Sequence, residues 1–239
     1  MTNMTVFKHA LRNGITKPQS LIINSIVPLA LVILADRIGD AFGGGDVVDL
    51  IVFGLLAFVI MYGAFLMANS IQKDKVEGVL VRILAGPITL RSYLLQNFLA
   101  AILPMMLVSA IVGLLGYLIH DWDALVTVGL VIIYIFLSAT SIGISFVWSC
   151  LFKDREASMS GISVLITLSA LLGGFMMPLQ VLPDPVRYAG MIFPTHWASR
   201  AIEQLVTYSE LTNMYWLGIL AMAMFTFVFV LYGSKRRLV

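Results

Sequence analysis

Charge and cysteine are the two things this sequence has least of. Asp, Glu, Lys and Arg together make up 12% of the 239 residues, against roughly 25% in an average soluble domain. A soluble globule of this length would need far more polar surface to cover one core, so that class is excluded. The lone Cys150 excludes a disulfide within the chain and a cysteine-rich metal site. Lying at the end of an apolar run, it reads as a small packed residue. Three histidines, His9, His120 and His196, are scattered without ligand spacing. No G-x-x-x-x-G-K-[ST] occurs, so the chain has no phosphate loop. Domain linkers and low-complexity stretches are also missing.

What is present is apolar. Hydrophobic residues make up 60% of the chain, in long runs separated by short polar hinges, the pattern of helices dissolved in lipid. The runs lack the period-two alternation of a membrane barrel. The expectation is an all-α integral membrane protein, a single transmembrane domain over 1–239, with six spans at about 19–36, 50–71, 93–119, 124–151, 159–177 and 211–233. Lys8, Arg12 and Lys17 precede the first run as they would in a signal peptide. Asp36-Arg37 rather than a small-x-small site follows it, so it reads as a retained span. Residues 1–17 put Met4, Phe7, Leu11 and Ile15 on one helical face and suit an interfacial helix. Pro28 and Pro104 sit inside spans, where a kink is tolerated. Ser141, Ser145 and Ser149, with Ala139 and Gly143 adjacent, form a stripe of small residues suited to close helix packing.

Orientation follows from the cations. Lys8, Arg12, Lys17, Lys73, Lys75, Arg82, Arg91, Lys153, Arg155, Lys235, Arg236 and Arg237 fall on one side, and Arg37, Arg187 and Arg200 on the other. Twelve against three predicts that both termini are cytoplasmic, in a multi-pass plasma-membrane protein. Gly43-Gly44-Gly45 lies in the first outer loop among Asp36, Asp40, Asp46 and Asp49, and reads as a solvated turn rather than a calcium site.

Two segments are unlike ordinary loops. Inside, Val76, Leu80, Ile83 and Leu84 repeat at helical spacing, while Lys73, Asp74, Glu77 and Arg82 occupy the remaining face. Gly86-Pro87 then stops the helix. Such a helix either lies on lipid or docks in the groove of a cytoplasmic partner. Outside, residues 173–201 are too apolar for a solvated loop and too rich in proline to cross. Backbone of that kind survives only when buried in protein or lining a cavity. It suggests two short re-entrant helices, with Pro194 starting the second, Trp197 as an interfacial anchor and Arg200 pairing with Glu203 one turn away. The pair either gates the outer mouth or caps the bundle.

Together the segments resemble the type-2 permease family of ATP-binding-cassette exporters. The stretch Glu77-Gly78-Val79-Leu80-Val81-Arg82-Ile83-Leu84-Ala85-Gly86-Pro87-Ile88-Thr89 is similar to that family's E-G-x-L-x-x-L-x-x-x-P pattern, departing from its commoner residues at Ile83 and Gly86. The outer prolines Pro178, Pro183 and Pro194, followed by Trp197 and Arg200, also match it, and the resemblance covers essentially the whole chain.

The resemblance implies a permease without an ATPase site, catalytic residues, metal or cofactor of its own. ATP and magnesium would sit on a separate cytoplasmic ATPase subunit. A second permease copy or a paralogue would complete the path through the bilayer, with no nucleic acid involved. Residues 73–86 would form the coupling helix, with Lys73, Val76, Glu77, Gly78, Leu80, Arg82, Leu84 and Pro87 facing the ATPase, and the segment Lys153-Asp154-Arg155-Glu156 would be a lesser contact. Residues 178–207 would form the outer gate, with Pro178, Pro183, Pro194, His196, Trp197, Arg200 and Glu203 as its site residues. The substrate would be a hydrophobic or amphipathic drug, peptide or lipid.

An ion-coupled secondary transporter is the main rival, but the spans carry no ionisable residue at mid-membrane to bind a driving ion. Asn24, Asn69, Gln96 and Asn97 lie near the inner ends. A channel would want a filter of carbonyls or charged rings, and none is visible. An intramembrane enzyme would need a base beside one of the serines, which no span supplies.

Overall fold

The computed structural model describes residues 5–16, 22–41, 46–68, 70–86, 88–152 and 154–235. Every regular element among them is a helix. An N-terminal helix α1 (Thr5–Thr16) precedes a π-helical turn (Ile22–Ile26), which runs into α2 (Val27–Ile33) and then α3 (Ala35–Ala41). The long helix α4 (Asp46–Ala68) is followed by the short pair α5 (Ser70–Val76) and α6 (Val79–Leu84). Then come α7 (Leu90–Ile119), α8 (Ala124–Leu151), α9 (Arg155–Gly173), α10 (Asp184–Gly190), α11 (Pro194–Tyr208) and α12 (Asn213–Lys235).

Five helices are long and apolar enough to cross a membrane: Asp49–Val76, Leu90–Ile119, Ala124–Leu151, Glu156–Gly173 and Asn213–Gly233. They carry the second to sixth expected spans. The apolar helix in the region of the first span, Ile22–Ile33, is shorter. Pro28 falls in the first turn of α2 rather than inside a regular helix. Its ring cannot take part in the i→i−4 ladder, and the wider π turn before it accommodates the ring. Gly43-Gly44-Gly45, Pro87 and Lys153, for which the sequence also carries expectations, lie outside the described residues.

Local chemistry sets several of the boundaries. Thr89 opens α7 by accepting the Ser92 N–H at 3.3 Å, and Asp123 opens α8 by accepting that of Leu125 at 3.0 Å. Asp154 opens α9 through the Ala157 N–H at 2.9 Å. Each such cap satisfies an otherwise orphaned donor and stabilises by about 1 kcal/mol. The fifth span therefore begins earlier than its hydropathy indicates, and it ends earlier too, where Gly174 turns left-handed.

Helix α8 is the hub, packing against α4, α7, α11 and α12. Lipid supplies no hydrophobic drive between helices, so close packing and interhelical hydrogen bonds must hold them. Ser141 donates to the Met61 carbonyl of α4 at 2.7 Å, and Thr140 to that of Met222 in α12 at 3.1 Å. Tyr134 donates to Phe53 at 3.3 Å, and Tyr215 of α12 returns a bond to Gly129 at 3.1 Å. Ser145 and Ser149 are buried and bond back to their own helix. The small-residue stripe is thus packed inside the chain. On the outside the pattern inverts, and Leu107, Leu118 and Phe227 are each more than 60% exposed.

Helix α1 packs against the start of α7. Among its described side chains Val6 and Ala10 are buried, and Phe7 and Leu11 are half-buried beside them. The Phe7 N–H donates to the buried Gln96 at 3.1 Å. The contact thus covers two adjacent stripes of the helix. The side chains of Met4 and Ile15, also expected on that face, lie outside the described residues.

Candidate functional site

Two sites sit at opposite ends of the helices. The first is the elbow made by α5 and α6. The apolar repeat predicts one amphipathic helix here, which the family resemblance would make a coupling helix over 73–86, but the structure breaks it in two. Lys73 to Val76 complete α5, and Gly78, with φ of +67°, turns the chain before α6. Only glycine adopts that left-handed conformation without a steric cost, which explains the break. Arg82 folds back over the turn and donates to the carbonyls of Gly78 and Glu77, each at 3.3 Å. These acceptors lie at the point where the helical ladder stops, so the guanidinium caps the end of α5. Lys73 and Glu77 form an ion pair of 3.7 Å on the surface, a contact that contributes little in water.

The expected apolar face also divides. Leu80 is fully buried, and Ile83 and Leu84 are half-buried against the core. Val76 and Val81 are about half exposed (48% and 51%). Leu80 and Leu84 therefore seat the elbow on its own bundle, while Val76, Glu77, Val81 and Arg82 are what a neighbour would meet.

The elbow is bolted to two long helices. Lys75 donates to the carbonyls of Ser149 at 2.8 Å and Phe152 at 3.2 Å, which places an ammonium on the negative end of α8. Gln72 donates to the same Phe152 carbonyl at 3.2 Å. Asp74, itself buried, accepts a 2.6 Å hydrogen bond from the buried Tyr93 hydroxyl of α7. Sequence reading missed these bolts. The available signal was a run of polar residues, Gln72 to Lys75, that directly extends an apolar span without a breaking residue.

The second site follows α9. Gly174 ends that helix with φ of +93°, and Phe175 to Pro183 run without regular structure before α10 and α11. Pro183 is the residue just before α10, and Pro194 opens α11. Pro178 and Pro194 are buried. Thr195 donates to the Ser169 carbonyl at 2.6 Å, and Ser199 to that of Gly174 at 3.2 Å. With Ala198, Ala201, Ile202 and Leu205 buried, α11 is embedded among α8, α9 and α12. Irregular backbone is stable here because the protein itself covers it.

Trp197 is half-buried and donates to the Met191 carbonyl at 3.1 Å, so its polar edge is held within the segment. Arg200 and Glu203 form no ion pair among the described residues. The Glu203 carboxylate instead accepts from Gln180 at 2.6 Å, which ties α11 to the irregular stretch. Arg187 pairs with Asp184 at 2.6 Å. His196 is fully buried in the same segment. Burial, then the charges of Arg200 and Arg187, lower its pKa from the ordinary 6.5 to about 4.

The chain thus presents a many-helix membrane bundle with a bolted elbow at one end and, at the other, a proline-punctuated hairpin whose second helix is embedded. Residues 3–235 match the family described as "ABC-2 family transporter protein". No curated protein matches the chain.

Proposed function

The chain belongs to the ABC-2 transporter family, and from that premise we propose that it is the permease subunit of an ATP-driven exporter whose ATPase is a separate cytoplasmic chain. The α5–α6 elbow carries this reading. It is a compact projection tied to α7 and α8 by Tyr93, Lys75 and Gln72. A push on the exposed Val76, Glu77, Val81 and Arg82 would be passed to those two helices rather than absorbed by a loop. The twelve-to-three distribution of Lys and Arg supports a cytoplasmic position for the elbow, both termini and the start of α9.

In this scheme Ile22–Ile33 belongs to a sixth span, and two permease copies, or this chain and a paralogue, enclose the path. Closure of the ATPase pair drives the elbows, and the α10–α11 hairpin opens or seals the outer mouth. The apolar surface of α7 and α12 suits an amphipathic or hydrophobic cargo. The test is reconstitution with the ATPase that co-purifies with the chain. Val81→Asp and Glu77→Lys should cut transport and substrate-stimulated ATP hydrolysis by at least about tenfold, the loss expected from a desolvated charge at an interface. The variants should stay monodisperse in detergent. Wild-type coupling in both, or sodium- or proton-driven transport by the chain alone, would overturn the proposal.

A further inference from the structure

A polar pocket of about 370 Å³ opens between the irregular stretch and helices α10 and α11. Its polar lining is Gln180, Arg187, Tyr188, His196, Arg200 and Glu203. His196 is the telling member. Its side chain is fully buried, yet neither ring nitrogen has a hydrogen-bond partner among the described residues. A buried imidazole left unsatisfied on both nitrogens is costly, and such groups point to an absent partner.

The charges around it name the kind of partner. Two guanidiniums act on the ring. Arg200 has no hydrogen bond or ion pair among the described residues, and Arg187 gives one donor to Asp184 and keeps others. The pocket's one carboxylate, Glu203, is committed to the Gln180 amide. With His196 neutral, the two guanidiniums face two carboxylates, Glu203 in the lining and Asp184 paired with Arg187, and the donors left uncommitted are those of Arg200 and the remaining N–H groups of Arg187. Donors from two guanidiniums, an imidazole and a phenol suit a tetrahedral oxyanion with three or four acceptor oxygens better than a two-oxygen carboxylate. Along the same segment of chain, Val181, Tyr188 and Ile192 are each 60% exposed or more, an apolar rim of the hairpin that would lie along an acyl chain.

We propose that this pocket binds a phosphate group, held by Arg200 and Arg187 over the His196 ring, with the apolar rim receiving the chains of a phospholipid that carries it. The site stands on the pocket's own geometry, so it can fail while the coupling role of the elbow survives, and the reverse.

Calorimetric titration of the purified full chain in detergent tests it with three probes: dihexanoyl phosphatidic acid, inorganic phosphate and dihexanoyl glycerol. Phosphatidic acid should bind and the uncharged glycerol should not. Equal binding of inorganic phosphate would make the free anion the ligand, and preference for phosphatidic acid would make it the lipid headgroup. Either result upholds a phosphate site. Arg200→Gln should weaken phosphatidic acid binding about 10- to 100-fold, the loss of a charge-assisted bond, and Arg200→Lys should restore part of it. In the unsubstituted protein, the ring nitrogen signals of ¹⁵N-labelled His196 should shift on addition of the phosphate probe. Binding unchanged in Arg200→Gln, equal binding of dihexanoyl glycerol, or no shift at His196 under saturating probe would overturn the inference.

Discussion

His196 has no room for a charge. Its ring is fully buried and its charged neighbours act on it through Arg200 and Arg187, so its pKa falls from 6.5 to about 4. The unfolded chain therefore holds the proton more tightly than the folded one. The contribution of this residue to stability is complete above about pH 6.5 and is lost as the pH falls toward and through 4. Full protonation would cost on the order of 3 kcal/mol. His196→Gln should flatten this acid-side loss, measured as the difference in unfolding midpoint between pH 7 and pH 4.5 in detergent. An equal difference in both proteins would refute it. The presence of His196 in the hairpin was legible in the sequence, but its burial and orphaned nitrogens were not. Those depend on α9, α10 and α11 closing over it from positions up to about 25 residues apart. The same holds for Arg200 and Glu203. One helical turn makes a pair available, but Gln180, from across the hairpin, takes the carboxylate first.

Among the elements, the elbow shows how a correct periodicity can yield the wrong division. Val76, Leu80, Ile83 and Leu84 do recur at helical spacing, but Gly78 allows the turn that splits them between two short helices. Leu80 then faces the bundle and Val81 faces away. Leu80→Ala should therefore destabilise the chain by about 2–5 kcal/mol, read as a lowered unfolding midpoint. Val81→Ala should leave that midpoint within about 0.5 kcal/mol of the parent. Equal effects at both positions would mean that the elbow is not seated as described. Helix α9 teaches a related lesson. Its hydropathy peak suggested 159–177, whereas the Asp154 cap and the left-handed Gly174 move both ends toward the N-terminus. Capping groups are single polar atoms and scarcely alter a windowed average, so they are hard to see in one.

At the scale of the whole molecule, the export reading requires the elbow and the hairpin to lie on opposite faces of the membrane. With Cys150 replaced by serine, Glu210→Cys should react with a membrane-impermeant maleimide in intact cells. Lys8→Cys and Arg82→Cys should react only after permeabilisation, and the reverse pattern would invert the topology. All three positions are exposed, so reactivity reports side rather than burial. The sequence by itself determined that this is a helical membrane protein and where five of its long helices run. Length and apolarity of a run are local quantities, and a lipid solvent forces the backbone of each run to satisfy itself. Its two odd segments were also legible, because a short amphipathic repeat and a run of spaced prolines are both written in neighbouring residues. Only the tertiary structure decided that α8 is the hub, that Lys75 and Tyr93 bolt the elbow to the bundle, and that His196, without a hydrogen-bond partner among the described residues, lines one pocket with Arg187 and Arg200. Those facts arise between residues far apart in the chain. Which buried polar group meets which partner is fixed by how the helices pack, and no local pattern encodes it.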